Sequence, residues 1–531
     1  MKHDTEIGPL NAETGQRPSD SAENGRSGDA VSGSDRSSDS IEVELKLAGP
    51  PNRLSKAFRA CTGTTPKPKT VVSTYYDTSD QRLWHRGYTL RLRPSGNAFE
   101  LTLKQRAAGA IDRGEWTSLI DEPIADLGRL PPDAPRAALG LVLPEELTAC
   151  YVSDIARAKQ IVEIDGARVE VALDRGTIRS GDETCPVSEL EFELKSGSVG
   201  ALLTLADRVL DRTPLTVGTL TKSDRGSMLA DGTPPAWLKA AKPLLQPRDT
   251  LDQAMAKIVS ASTTQTLGNL AAAADGRDPE GVHQLRVSLR RLRSAISLFR
   301  PQLAETADAL DAMAKAALKR LGVARDLDVF LDETIAPVLT DDPDNAALQR
   351  LAGNAERQRK AAYDDVRALV ADGDFSRFLI ALLRASVDGG LIARNGDGRL
   401  RPLAAALLAK RRRKVLKAGR QFAALTTDQR HEVRIALKKL RYACDFFQTL
   451  FPGKLTQRYL KSMADLQDDL GRLNDASVAE TVVDRLSEGD GEAALGGAIV
   501  KGWYRHRLIT AEPHMLKAWQ AFAASTPFWR P

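Results

Sequence analysis

A chain of 531 residues, 42% hydrophobic and 27% charged, has the composition of an ordinary globular protein and is too long for one core, so two or three domains are expected. Net charge is only +5, yet it is unevenly placed: residues 251–531 hold 43 Lys+Arg against 34 Asp+Glu, leaving 32 against 36 for the rest. No run approaches the roughly 20 apolar residues of a membrane span, no leader pattern opens the chain, and Cys61, Cys150, Cys185 and Cys444 show no zinc or disulfide spacing, so the reading is a soluble cytoplasmic protein without a membrane partner.

Residues 1–39, rich in Ser, Gly, Asp and Asn, read as a disordered tail. From Ile41 to Met228 the text is strand-rich. Glu42-Val43-Glu44-Leu45-Lys46 comes first, and a strand sends alternate side chains to opposite faces. Glu42, Glu44 and Lys46 therefore share a face that offers two carboxylates to a hard cation and an ammonium to a phosphate. Arg91 and Arg93 share a strand face, as do Glu100, Thr102 and Lys104, and Glu189, Glu191 and Glu193. A helix is expected near Gly200–Leu210. His85, the one histidine between Ile41 and Met228, reads as a surface or loop residue. The Pro-bearing stretch Asp231–Pro247 looks like a boundary, and beyond it the text turns helical.

The helical half contains a duplication. HQLRVSLRRLRSAISLF from His283 matches HEVRIALKKLRYACDFF from His431, pairing Arg286 with Arg434, Arg290 with Lys438 and Arg293 with Arg441. On the first copy Leu285, Leu289, Leu292, Ile296 and Phe299 form a core stripe. His283, Arg286, Arg290 and Arg293 form a second stripe about a quarter-turn away. Like charges spaced so repel, which points to an anion; pairing with Asp326, Asp328, Asp468 and Asp475 is the structural alternative. Within 401–450, 13 basic residues face 3 acidic ones, and Arg411 and Arg412 extend the track. Aromatics make up 5% of the chain and hardly interleave with these cations, which disfavours nucleic acid as the partner.

With these residues in hand, the chain resembles a CYTH–CHAD fusion protein, a triphosphate tunnel metalloenzyme of the inorganic triphosphatase type joined to a polyphosphate-binding CHAD domain. The resemblance rests on Glu42-x-Glu44-x-Lys46, Tyr75–Thr78, Leu90–Arg93, Leu101–Lys104, Arg113–Trp116, Ala172–Gly176, Glu189–Glu193, Lys222 and Arg225, in the family's order, and then on the two His-x-x-Arg helices with their Arg325-Asp326 and Asn474-Asp475 turns. It implies a multidomain α+β protein: a tail at 1–39, an eight-stranded antiparallel barrel at 40–228 with a charged lumen open at both ends, a linker at 229–248, and an all-α duplicated bundle at 249–528. It implies metal binding by Glu42, Glu44, Glu189 and Glu191, with Mg²⁺ expected and Mn²⁺ as the other option. Phosphate binding would fall to Lys46, Arg91, Arg93, Lys104, Arg113, Arg157, Lys222 and Arg225, and catalytic support to Lys46, Glu115 and Asp174. Polyphosphate would be held by His283, Arg286, Arg290, Arg293, Arg411, Arg412, His431, Arg434, Lys438 and Arg441. The implied activity is cleavage of inorganic triphosphate to orthophosphate and pyrophosphate, with association to polyphosphate granules; a non-catalytic polyphosphate binder, or a tunnel acting on ATP (adenylate cyclisation included) or another organic triphosphate, is the alternative. Nothing in the text sets an oligomeric state.

Overall fold

Alternating strands dominate the N-terminal half of the computed structural model: β1 (Ile41–Ala48), β2 (Lys69–Thr78), β3 (Tyr88–Ser95), β4 (Ala98–Gln105), β5 (Asp112–Ile120), β6 (Leu147–Ile164), β7 (Ala167–Ser180), β8 (Glu183–Ser196) and β9 (Thr216–Gly218). The structure describes residues 41–65, 67–106, 109, 111–393 and 399–530, without the side chains of 41, 138, 474–477 and 507–511. The tail read at 1–39 and the side chains of Asn474 and Asp475 lie outside the described residues.

The strands pair antiparallel in the order β5-β4-β3-β2-β6-β7-β8-β1, and β1 pairs β5 to close an eight-stranded barrel; β9 adds to β1. The hairpins carry the required turn chemistry: Asp165 (φ 47°) and Gly166 (φ 75°) link β6 to β7 in the left-handed region that two-residue hairpins need. Leu90, Leu92, Leu101 and Leu103 point outward and pack with Leu83, Leu127 and Leu139. Leu45, Leu47, Leu190 and Phe192 pack beneath α1 (Pro51–Thr62) and α4 (Val199–Arg212), against Leu54, Phe58 and Leu202. Because these apolar faces of β1, β3, β4 and β8 meet the outer shell, their charged faces converge in the lumen, which β2 and β6 line in part with Val71, Tyr75 and Ile155. Short helices α2 (Arg82–His85) and α3 (Arg136–Leu139) decorate the outside, and His85 is exposed on α2.

One end of the lumen faces α5 (Lys222–Asp231), capped by Thr221, whose hydroxyl accepts from Asp224 N at 3.0 Å. Gly226 lets this helix lie against β6, since a Cβ there would come within 2.2 Å of the Tyr151 ring. The helical half follows: α6 (Leu251–Asp275), α7 (Glu280–Phe299), α8 (Thr306–Val329), a π-helical turn at Phe330–Ile335, α9 (Ala336–Asp341), α10 (Ala346–Val370), α11 (Gly373–Val387), α12 (Leu400–Ala418), α13 (Thr427–Phe447), α14 (Lys454–Ser487) and α15 (Gly491–Ala524). The duplicated segments are α7 and α13, which meet through Phe299 and Phe447 edge to face at 5.9 Å. The core stripe Leu285, Leu289, Leu292, Ile296 and Phe299 is at most 1% exposed. Among the described residues no helix is long and apolar enough to cross a membrane.

Between the halves, residues 233–247 run without regular structure but are fastened along their length. Asn269 on α6 accepts from Leu238 N and donates to Leu238 O, both at 2.9 Å. Arg291 donates to Ala241 O at 3.3 Å, and Leu245 N donates to Thr449 Oγ1 at 3.1 Å. Val217 N of β9 donates to Ser376 Oγ on α11, and Arg384 of α11 pairs with Asp207 of α4 at 3.0 Å. Residues 40–531 form one compact unit whose hydrophobic core runs from Leu47 and Phe58 through to Leu285 and Phe447.

Candidate active site

Strand register places the charges of the lumen beside one another. Asp174 lies opposite both Arg157 and Glu189, Glu191 opposite Lys46, Lys104 opposite Glu115, and Glu42 opposite Arg113. Lys46 donates to Glu191 at 2.8 Å and to Glu44. Lys222 reaches in from α5 to Glu191 and Asp174, each at 2.7 Å, and to Glu189 at 2.5 Å, and Arg225 pairs with Glu189. Arg157 Nε donates to Asp174 at 2.7 Å, and the same guanidinium reaches Glu191. Across the lumen Arg113 bridges Glu42 and Glu44, while Lys104 lies 3.1 Å from Glu42 and 3.0 Å from Glu115. Arg91 pairs with Glu100 at 2.7 Å and donates to Thr102; Arg93 Nε donates to Ser73 at 3.0 Å. All the barrel residues expected from the sequence thus line one lumen.

Two buried donors, Arg91 Nε and Arg225 Nε, have no acceptor among the described residues, which leaves guanidinium edges available to a further anion. Burial and the nearby Glu191 push the Glu44 carboxyl up. Glu191 is held well below the ordinary carboxylate range: burial opposes this, but Lys222, Lys46 and Arg157 outweigh it. Lys104 and Arg113 likewise overcome burial and hold Glu42 low. Burial, with Arg91 adjacent, lowers the Arg93 guanidinium to about 10.

Carboxylate oxygens of Asp174, Glu189 and Glu191 lie within 4.8 Å of one another, and all three residues are buried. Three convergent hard oxygen donors on neighbouring strands fit a divalent cation such as Mg²⁺. Glu42 and Glu44 stand on β1, the next strand round, facing Arg113 and Lys104. Glu100 and Glu193 are lumen carboxylates absent from the residue set drawn from sequence, although each shares a strand face with residues in it, Lys104 and Glu191 respectively.

The helical half carries a different arrangement. His283 and Arg290 have no side-chain hydrogen bond or ion pair among the described residues, and Arg286 donates only to Leu318 O at 3.2 Å. Burial and the Arg325 guanidinium depress the His283 imidazole, and burial with Arg290 lowers Arg286 to about 10. Asp326, nearby, is itself pushed up by burial. Arg293 is an exception, paired with Asp311 at 2.7 Å, and Asp328 is taken by Arg359 and Tyr363. On α13 His431 is exposed, Arg434 and Lys438 are half-buried, and Arg441 donates to Gln467 at 3.3 Å. Arg411 donates to Ser297 Oγ at 3.1 Å, whereas Arg412 donates to Ala523 O and Ser525 O and so ties α12 to the end of α15.

A closed barrel with mixed charges in its lumen, fused to a duplicated helical bundle, defines the class. The CYTH domain model matches residues 40–227 and the CHAD domain model matches residues 257–484. The chain is a CYTH–CHAD fusion protein. It is similar to an inorganic triphosphatase of Haemophilus influenzae, 30% identical over 198 residues that cover 35% of this chain and 54% of that protein, about half its length. Among solved structures it is similar to the CHAD domain from the plant Ricinus communis (26% identity, 54% of this chain, 97% of that chain, TM-score 0.49). The PH1819 protein from Pyrococcus horikoshii (16% identity, 35% and 97%, TM-score 0.24) is another such match.

Proposed function

We propose that the tunnel hydrolyses inorganic triphosphate to orthophosphate and pyrophosphate with Mg²⁺, or Mn²⁺ in its place, and that the cation stripes of the helical half bind inorganic polyphosphate. The observation that carries the first part is the buried Asp174–Glu189–Glu191 trio set among Lys46, Arg157, Lys222 and Arg225. A pure anion binder gains nothing from carboxylates in its lumen, whereas a site for a metal–polyanion pair needs both signs. Asp174, Glu189 and Glu191 would hold the cation, which supplies Lewis-acid polarisation and offsets substrate charge. Arg91, Arg93, Lys104, Arg113, Arg157, Lys222 and Arg225 take the phosphate oxygens, the arginines in bidentate fashion. Glu115 keeps Lys104 in place at 3.0 Å. Glu44, raised by burial and Glu191, is suited to accept a proton from water as its oxygen attacks the terminal phosphorus; the bridging P–O bond breaks and pyrophosphate leaves. Lys46, between Glu44 and Glu191, stabilises the charge that develops.

For the second part, the support is His283, Arg286 and Arg290 crowded together without a carboxylate partner within 4 Å among the described residues. Such a surface suits a linear polyphosphate and would carry the protein to polyphosphate granules in the cytoplasm. Incubation with inorganic triphosphate, ATP, thiamine triphosphate and long-chain polyphosphate, with Mg²⁺ or EDTA, tests both parts. Metal-dependent triphosphate cleavage that Glu44→Gln loses is expected; silence on every substrate with polyphosphate still bound would leave only the binding role.

A further inference from the structure

The lumen is unequal along its length. Near α5, Lys46, Arg157, Lys222 and Arg225 crowd around the acidic trio, whose side chains are at most 9% exposed. Toward the β3–β4 turn the cations thin out to Arg91 and Arg93, and Glu100 stands beside them with its side chain 27% exposed. It lies four residues from Lys104, about 13 Å along β4. The next lumen positions outward, Ser95 on β3 and Ala98 opposite it on β4, carry no charge. Farther round the rim, Lys159 and Lys195 are each held by a carboxylate, Glu170 at 3.0 Å and Glu193 at 2.5 Å, and Lys69 is exposed.

Strand register puts Glu100 opposite Arg93, yet its carboxylate turns to Arg91 at 2.7 Å and stays 3.8 Å from Arg93. Among the described residues Arg91 Nε has no acceptor, and Arg93 donates only from Nε, to Ser73. Both guanidinium groups therefore keep an edge for the outer phosphate of a triphosphate, while Glu100 stands just beyond them. A trio carboxylate released by a phosphate can turn to the divalent cation. Glu100 belongs to no such acidic group among the described residues, and its cationic partners within 4 Å there are these two arginines. The opposite end of the lumen faces α5, so a longer chain extends toward Glu100. A fourth phosphate there meets a half-buried carboxylate that has no cation to turn to, and like charges so placed repel strongly.

We infer that Glu100 is a specificity-determining residue of the tunnel, a carboxylate that admits inorganic triphosphate and turns away inorganic polyphosphates one or more units longer. The inference rests on the tunnel receiving triphosphate, as proposed above. It lets the helical half hold polyphosphate without the barrel consuming the polymer.

Initial rates of consumption of inorganic triphosphate and inorganic tetraphosphate by the full chain in Mg²⁺, followed by phosphorus NMR, test it as a ratio of kcat/KM values. The native chain is expected to prefer triphosphate by about tenfold or more, and Glu100→Gln to shrink that preference about tenfold. Glu193→Gln removes an equal charge from a comparably exposed side chain and is expected to shift the ratio less than about twofold. Ser95→Glu, which adds a carboxylate one lumen position farther out, is expected to widen the preference, and decides the matter should Glu100→Gln not fold. No preference in the native chain, a ratio that Glu100→Gln or Ser95→Glu leaves unmoved, or an equal shift in Glu193→Gln overturns the assignment. So does loss of triphosphate turnover by Glu100→Gln with polyphosphate still held, since Glu100 then belongs to the triphosphate site itself. Consumption of neither anion by the native chain overturns the tunnel reading instead, and the role of Glu100 with it.

Discussion

The barrel and the helix α7 surface both concentrate cations, but they balance them in opposite ways. In the lumen, Lys46, Arg91, Lys104, Arg113, Arg157, Lys222 and Arg225 each contact a carboxylate, and several contact two. On α7, His283 and Arg290 contact none within 4 Å among the described residues, and burial together with neighbouring guanidinium groups depresses His283 and Arg286. A balanced lumen gains little from an anion alone, because each phosphate displaces a carboxylate that then needs a new partner. An unbalanced surface is ready for an anion as it stands. The barrel should therefore depend on a divalent cation and the helical surface should not.

The largest effect is expected where that contrast is sharpest. Glu191→Gln removes one ligand of the acidic trio and one partner each of Lys46, Lys222 and Arg157, and triphosphate turnover should fall by about a thousandfold, measured as phosphate release. Polyphosphate retention in a gel-shift assay should be untouched by the same change. A turnover loss below about tenfold would mean that the trio is a structural ion-pair network rather than a metal site.

On the helical side, Arg286→Ala combined with Arg290→Ala should weaken polyphosphate binding about 10- to 100-fold at fixed salt, since each charge-assisted contact is worth about 1.5–3 kcal/mol before losses to screening. Binding that persists in EDTA but collapses in this variant would sharpen the comparison; binding lost in EDTA would break it.

A smaller effect concerns pH. Burial and Arg325, Arg290 and Arg286 lower the free-state His283 pKa, against Glu280, which raises it. A bound polyanion favours the charged imidazole, so binding takes up a proton and strengthens as pH falls through and below the ordinary histidine value of 6.5. His283→Gln should flatten that dependence by a few-fold in affinity between about pH 7.5 and 5.5. Unchanged slope would place the titration on another group.

The smallest effect on ligands is expected from Arg412→Ala. Its guanidinium holds Ala523 O and Ser525 O, so the change should cost about 1–3 kcal/mol of stability by chemical denaturation and shift polyphosphate affinity less than Arg411→Ala does.

Much of the barrel was legible because its strands alternate cleanly. Glu42-x-Glu44-x-Lys46, Arg91-x-Arg93 and Glu189-x-Glu191 each assign a face, and one closed sheet brings those faces together. Grouping Asp174 with Glu189 and Glu191 needed the β7–β8 register, which alternation within one strand cannot supply. On α7 periodicity drew the cation stripe but not its members' fates, since Arg293 found Asp311 on α8; Arg412 of α12, read as extending the track, found backbone carbonyls at the end of α15. The stretch at 231–247 reads as a boundary from its prolines, yet Asn269, Arg291 and Thr449 fasten it across three helical segments.

Phosphorus NMR of inorganic triphosphate with the native chain, first in Mg²⁺ and then after EDTA, addresses the contrast most directly. The account predicts one orthophosphate and one pyrophosphate per triphosphate consumed in Mg²⁺, and arrest on chelation while polyphosphate stays bound. Undiminished cleavage in EDTA, or intact triphosphate throughout in Mg²⁺, would contradict it.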